Sequence, residues 1–154
     1  MILNLKQKTF SWRSRYAVYD ESENEKMLVK GIDLLVSKSF RITDMNGQEL
    51  IRVKRKTYGA TPRYYIIRNG KEIAFVEKDF SMYSHGYDVK GLGWRAEGQL
   101  SERKFAVKKG EIEIARISKA ENGYKIAFGS DVDEAAALAV ILIVNICADS
   151  KNYG

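Results

Sequence analysis

The segment Ser130–Asp149, SDVDEAAALAVILIVNICAD, decides the fold of this 154-residue chain. Its first five residues include three carboxylates, which can satisfy free backbone amides and suit the positive end of a helix dipole. The ten residues from Ala135 to Val144 are all apolar. A surface helix needs only one apolar stripe, so a helix that is apolar on every face must be enclosed by protein core or by lipid.

The length of this apolar run favours protein core. A transmembrane helix needs about 20 apolar residues, whereas a run of about 10–14 is more typical of a buried helix. The flanks carry Asp131, Asp133, Glu134 and Asp149, with Lys151 as the adjacent cation, which is a poor match to membrane anchoring. We therefore expect a buried helix and no transmembrane span.

The rest of the chain has the pattern of β-hairpins. Related segments recur at 49–53 (ELIRV), 72–76 (EIAFV) and 113–117 (EIARI), each after a strand that contains an aromatic residue. Asn46-Gly47 and Asn69-Gly70 lie in two of the connections and are typical of type I′ turns, in which both central residues have positive φ. A barrel of eight strands is filled by its own side chains, so a barrel filled by a helix needs more strands.

The similarity between segments extends to a larger duplication. We predict a single domain, residues 1–154, built from two related halves, roughly 1–79 and 80–154, because no linker or change in composition separates them. A compact chain of this length buries about 68–70% of its unfolded surface, so it needs neither metal nor disulfides to maintain a core. The single cysteine, Cys147, permits no internal disulfide, and charged residues precede any apolar run of signal-peptide length. We expect a cytoplasmic protein.

An ordered series of segments resembles a known family. The series is FSWR at 10–13, YAVYD at 16–20, VKG at 29–31, FRITDMNGQE at 40–49, ISK at 117–119, YKI at 124–126 and DEAAALA at 133–139. With these segments and the terminal apolar helix, the chain resembles the LURP-one-related family, which belongs with tubby C-terminal domains and phospholipid scramblases. The resemblance implies a mainly β, tubby-like fold: a closed antiparallel barrel of twelve strands around a buried C-terminal hydrophobic helix.

The same resemblance gives expectations about function. Tubby domains bind phosphoinositide headgroups through basic side chains, and scramblases act at membranes. The sequence has neither a calcium-binding type of acidic loop near the helix nor a cysteine cluster for acylation, so lipid-scrambling activity is not expected. The resemblance therefore implies a non-enzymatic domain that binds anionic phospholipid or phosphoinositide headgroups, peripheral on the inner face of a membrane.

Charge placement indicates where such a ligand would bind. The chain carries 26 Lys+Arg against 20 Asp+Glu, for a formal net charge of +6. Between residues 52 and 71 there is no acidic residue, and the basic residues are Arg52, Lys54, Arg55, Lys56, Arg63, Arg68 and Lys71. Strand alternation places Arg52, Lys54 and Lys56 on one face. The predicted anion or headgroup site consists of Lys54, Arg55, Lys56 and Arg63.

Two other interpretations fit the same pattern. The basic residues can be ordinary solvated strand faces, where Lys and Arg discourage association between strands. Alternatively, the chain is a nucleic-acid-binding module or a regulatory protein-interaction module with no lipid ligand. The nucleic-acid alternative depends on the acid-free stretch from Met1 to Tyr19, in which Trp12 and Tyr16 alternate with cations.

Signatures of catalysis and metal binding are weak. His85 is the only histidine, and it lies among serines and tyrosines, where a loop hydrogen bond is commoner than a catalytic triad. One cysteine and one histidine cannot form a structural zinc site of the Cys/His type. Cys147 lies on the apolar helix, where a buried thiol is commoner than a nucleophile. We expect no catalytic residues, no cofactor and no metal.

Overall fold

The computed structural model describes residues 2–7, 15–33, 39–58, 61–79, 86–100, 102–120 and 123–151. Twelve strands precede one helix in these ranges. The strands are β1 (Ile2–Gln7), β2 (Arg15–Tyr19), β3 (Glu25–Asp33), β4 (Ser39–Thr43), β5 (Glu49–Tyr58), β6 (Thr61–Arg68), β7 (Lys71–Lys78), β8 (Gly86–Lys90), β9 (Trp94–Gln99), β10 (Lys104–Lys109), β11 (Ile112–Ala120) and β12 (Gly123–Phe128). The helix α1 spans Glu134–Lys151.

The strands form one closed antiparallel barrel. Each strand pairs with its neighbours in the chain, and β1 closes the ring by pairing with β12. The alternation of side chains follows the strand period of two: Ile51 and Val53 are buried in the core, whereas Lys54 is exposed. The predicted mainly β barrel of twelve strands is confirmed. The division into two related halves, 1–79 and 80–154, stays a prediction.

Helix α1 fills the barrel. Its residues from Ala136 to Val144 are all buried, and it lies against strands on both sides of the interior, β5 and β6 as well as β9, β10 and β11. The predicted buried helix is therefore confirmed. In the described ranges, no helix combines the length and apolar character that a membrane span requires.

The start of the helix is fixed by Asp133. Its Oδ1 accepts a hydrogen bond from the Ala136 amide at 3.1 Å, and its Oδ2 lies 2.6 Å from Nη1 of Arg68 on β6. Burial pushes the pKa of Asp133 upward, but the hydrogen bonds from Arg68 and Ala136 outweigh it and hold the pKa below its ordinary value. One carboxylate therefore caps the helix and joins it to the wall of the barrel.

The two predicted type I′ turns have different outcomes. At the β6–β7 connection, Asn69 and Gly70 both have positive φ, 51° and 77°, so this prediction is confirmed. At the β4–β5 connection only Gly47 has positive φ, so the prediction for Asn46 is wrong. The physical reason is Asp44, whose Oδ1 accepts hydrogen bonds from the amides of Asn46 and Gln48, both at 2.9 Å, and so stabilises a longer turn.

Candidate anion-binding site

The outer face of β5 carries part of the predicted site. Lys54 and Lys56 are exposed, and they alternate with the buried Val53, as the sequence pattern predicts. Lys54 has no hydrogen-bond or ion-pair partner within the described part of the chain. A cation with no internal partner can meet an external anion without first breaking a contact.

Arg55 lies on the opposite side of the same strand. It is paired in register with Tyr64, a core residue that is 3% exposed, and side chains directly opposite each other share a face of the sheet. Burial raises the pKa of Tyr64 above its ordinary value, and the nearby Cys147 thiol raises it further, whereas Arg55 lowers it. The structure thus places Arg55 toward the barrel interior, near the end of α1, and does not bring it together with Lys54 and Lys56.

Lys56 and Arg63 already have anionic partners. Lys56 Nζ lies 2.6 Å from Glu72 Oε1, and Arg63 Nε donates to Glu77 Oε2 at 3.2 Å. Each cation also lies over an aromatic ring at 4.7 Å from the centroid, and the rings belong to Tyr65 and Phe75 respectively. Two carboxylates of β7 therefore neutralise these two residues of the predicted site. Lys54 is the outward-facing member that has no partner among the described residues.

A second set of cations lies beside Lys54. The strand register pairs Lys30 of β3 with Arg41 of β4, and Arg41 with Arg52 of β5. The backbone position opposite Lys30 on the next strand, β2, belongs to Arg15. We call Lys30, Arg41 and Arg52 the basic row. Like charges directly opposite each other destabilise a sheet, so three cations in register carry a cost.

The basic row is only partly neutralised. Arg52 donates to Glu49 Oε1 at 2.9 Å. Neither Lys30 nor Arg41 has a hydrogen-bond or ion-pair partner among the described residues. Arg41 is half-buried, and its Nε is shielded from solvent and has no acceptor within the ranges that the structure describes. A guanidinium that has lost part of its hydration and gained no carboxylate is expected to attract an external anion.

The sequence contained part of the signal for the basic row. A two-residue turn at Asn46-Gly47 predicts that Arg41 lies opposite Arg52, by counting outward along both strands. The observed register agrees, because an irregularity between Ile42 and Thr43 compensates for the longer turn. Lys30 gave no such signal, since the connection between β3 and β4 contains no turn dipeptide from which to count.

The β7–β9 wall has a different electrostatic arrangement. Arg95 of β9 contacts Asp79 at 2.9 Å, Asp88 at 2.7 Å and Glu97 at 3.4 Å. Partial burial acts to lower the pKa of Arg95, but the hydrogen bonds that it donates to Asp88 and Asp79 outweigh burial and raise the pKa. Three carboxylates around one guanidinium form a structural contact, with no excess positive charge for a ligand.

The remaining candidates from the sequence are Trp12, His85, Cys147 and a metal site. Trp12 and His85 lie outside the described residues. Cys147 is half-buried and packs against the core, and within hydrogen-bond reach of its thiol are two tyrosine hydroxyls, those of Tyr64 and Tyr87. In the described ranges, no group of three His, Cys, Asp or Glu residues has a geometry suited to a metal ion.

A twelve-stranded barrel around a hydrophobic helix is the tubby-like fold. The chain is therefore a protein of the tubby-like fold class. An X-ray structure of a protein from Arabidopsis thaliana has the same fold, with a TM-score of 0.70, 16% sequence identity and coverage of 98% of this chain and 91% of that one. The LURP-one-related family model matches residues 1–145. The chain is also 30% identical over 146 residues to YxjI of Bacillus subtilis strain 168, described as an uncharacterized protein, with coverage of 91% of this chain and 90% of the relative. The chain therefore belongs to the LURP-one-related family.

Proposed function

We propose that this protein is a non-enzymatic binding domain whose basic wall, β3 to β5, binds the headgroups of anionic phospholipids at a membrane surface. The observation that supports the proposal is the basic row, in which Lys30 and Arg41 have no partner in the described ranges and Lys54 extends the row along β5. An anionic surface would relieve the repulsion within the row and replace the lost hydration of Arg41.

The four residues predicted from the sequence contribute unequally in this proposal. Lys54 acts with the basic row. Lys56 and Arg63 lie at its border and contribute less, because Glu72 and Glu77 offset their charge. Arg55 acts from the interior side of the barrel and does not reach the same surface.

Vesicle flotation tests the proposal. The wild-type protein is mixed with vesicles of phosphatidylcholine alone or with added phosphatidylglycerol, at low salt and at about 0.15 M salt, where the Debye length is about 8 Å. We expect binding to the anionic vesicles that weakens with salt. Because each basic residue near an anionic surface contributes about 1 kcal/mol, the double variant Arg41→Gln/Lys54→Gln should bind about 30-fold more weakly.

A matched control uses the opposite side of the ring. Lys104 and Lys109 of β10 are exposed, and β10 lies halfway round the barrel from β4. The double variant Lys104→Gln/Lys109→Gln removes the same net charge and should bind almost as well as wild type. Equal losses in both double variants would show that net charge, rather than the basic wall, controls binding. No binding of wild type to any anionic vesicle would reject the lipid function.

A further inference from the structure

The basic row has a geometry that differs from a diffuse positive surface. Neighbouring strands are about 4.8 Å apart, so the backbones of its three members span about 10 Å perpendicular to the strands. Arg41 is central, with one cation on each side. A single small anion at Arg41 would therefore contact up to three positive groups at once.

The state of Arg41 favours one type of anion. Its guanidinium is half-buried, with Nε shielded from solvent and unpartnered in the part of the chain that the structure describes, so an anion from solvent would meet the two Nη groups. A planar guanidinium donates two parallel hydrogen bonds to a phosphate or carboxylate, and a fixed one loses little conformational entropy on binding. A terminal phosphate carries about −1.5 to −2 charges at pH 7. It matches the excess charge of Lys30 and Arg41 better than the single charge of a phosphodiester.

We infer that Arg41, between Lys30 and Arg52, forms a discrete site for a terminal phosphate group, a phosphomonoester. This inference rests on the proposed anion-binding function and sharpens it from general attraction to an anionic surface to recognition of a chemical group. The group can belong to a lipid headgroup or to a soluble phosphate, because the contacts that Arg41 makes are the same in both cases.

The first experimental arm uses lipid. The full chain is floated with phosphatidic acid vesicles, which expose a phosphomonoester, and with phosphatidylglycerol vesicles, which expose a phosphodiester, after the surface charge of the two preparations has been matched. We expect wild type to prefer phosphatidic acid by about tenfold, in line with charge-assisted bonds to one group. Arg41→Gln and Arg41→Lys should both lose the preference. Arg41→Lys should retain general binding, because it keeps the charge and loses only the planar fork.

The second arm uses inorganic phosphate and needs no membrane. Titration is followed by NMR of the arginine Nε–Hε resonances, with chloride at equal ionic strength as the reference. We expect a saturable shift of the Arg41 resonance; Arg41→Gln, which lacks this resonance, assigns it, and Lys104→Gln should keep the shift. Circular dichroism of each variant verifies folding, and Arg41→Lys, which preserves charge and most of the side-chain volume, serves if Arg41→Gln does not fold.

The outcomes separate the inference from the proposed function. Equal binding to both anionic vesicles, with no phosphate-dependent shift, would overturn the phosphomonoester site and leave the lipid function intact. A saturable phosphate shift without vesicle binding would support the site with a soluble ligand and reject the lipid function. If the protein shows neither vesicle binding nor a phosphate-dependent shift, both the phosphomonoester site and the lipid function are rejected.

Discussion

Arg41 on β4 and Arg95 on β9 lie on different walls of one barrel, and the charges that surround them are opposite in sign. Each has one guanidinium nitrogen that is shielded from solvent and has no hydrogen bond to the described part of the chain, Nε in Arg41 and Nη2 in Arg95. Arg95 is surrounded by three carboxylates, whereas Arg41 lies between Lys30 and Arg52. The difference shows that two partly buried arginines can have opposite electrostatic surroundings, and the ligand-binding role that we propose for Arg41 depends on this difference.

Both walls pack on one core that α1 fills. Val140→Asp tests this arrangement, and its expected effect on stability is the largest. Val140 is fully buried at the centre of α1. An unpaired carboxylate there costs more than the total stability of a typical domain can offset, so we expect loss of the folded state. Circular dichroism and gel filtration measure it. Val140→Ala is the control, and it should fold with reduced stability. A well-folded Val140→Asp protein would mean that the barrel does not enclose this residue.

The second prediction compares the two arginines directly. Arg95→Met removes the cation shared by Asp79 and Asp88, whereas Glu97 keeps Lys108 at 3.9 Å, so we expect the free energy of unfolding to fall by about 2 kcal/mol. Arg41→Met removes one of three opposed cations, so its effect should lie within about 0.5 kcal/mol of zero. Urea unfolding of both variants gives the two values. If Arg41→Met is as damaging as Arg95→Met, then Arg41 is a structural residue and the contrast between the walls is lost.

The third prediction has a smaller expected effect and concerns Arg68, which, like Arg95, is paired with a carboxylate. Asp133→Asn keeps a good helix cap but removes the ion pair with Arg68. Both side chains are about one-third exposed, so we expect a loss of about 0.5–1 kcal/mol at pH 7. Because the pKa of Asp133 is lowered in the fold, its contribution is present above the unfolded value of about 3.9 and is lost as pH falls through the folded value.

The measurement is urea unfolding of wild type and Asp133→Asn between about pH 7 and pH 2. The two stability curves should converge at the acidic end, where the carboxylate of the wild type is protonated. A difference that stays constant over the whole range would show that the ionised carboxylate of Asp133 adds no stability, either through Arg68 or through the helix cap.

Much of the fold follows from local patterns in the sequence. The all-apolar run after residue 134 predicts an enclosed helix, and strand periodicity predicts which residues of β5 face outward. The number of strands does not follow from these patterns, and it came from the resemblance to a family. The turn at Asn46 was mispredicted, because a side chain of a neighbouring residue, Asp44, competes with the intrinsic preference of the Asn-Gly pair.

The candidate site was less accessible to sequence reasoning. A run of basic residues is visible in the sequence, but their partners are not. Glu72 and Glu77 lie on β7, and they neutralise Lys56 and Arg63 only once β7 has paired with β6. The basic row arises in the same way, since its three members come from three strands. Cross-strand register is a tertiary property. It determines which cations lie next to a carboxylate and which lie next to other cations.

The closure of the ring by β1 and β12 constrains how the protein can be made. Ile2 pairs with Ala127, so the wall cannot be completed until the chain has left the ribosome at least as far as β12. Helix α1 is synthesised after the last strand, yet it occupies the centre of the barrel. The wall must therefore close around the helix as a late, long-range event, and we expect slow folding relative to helical domains of similar length. Until then, the strands and α1 lack the burial that they have in the closed barrel, and transiently exposed apolar surface is a target for chaperones and proteases.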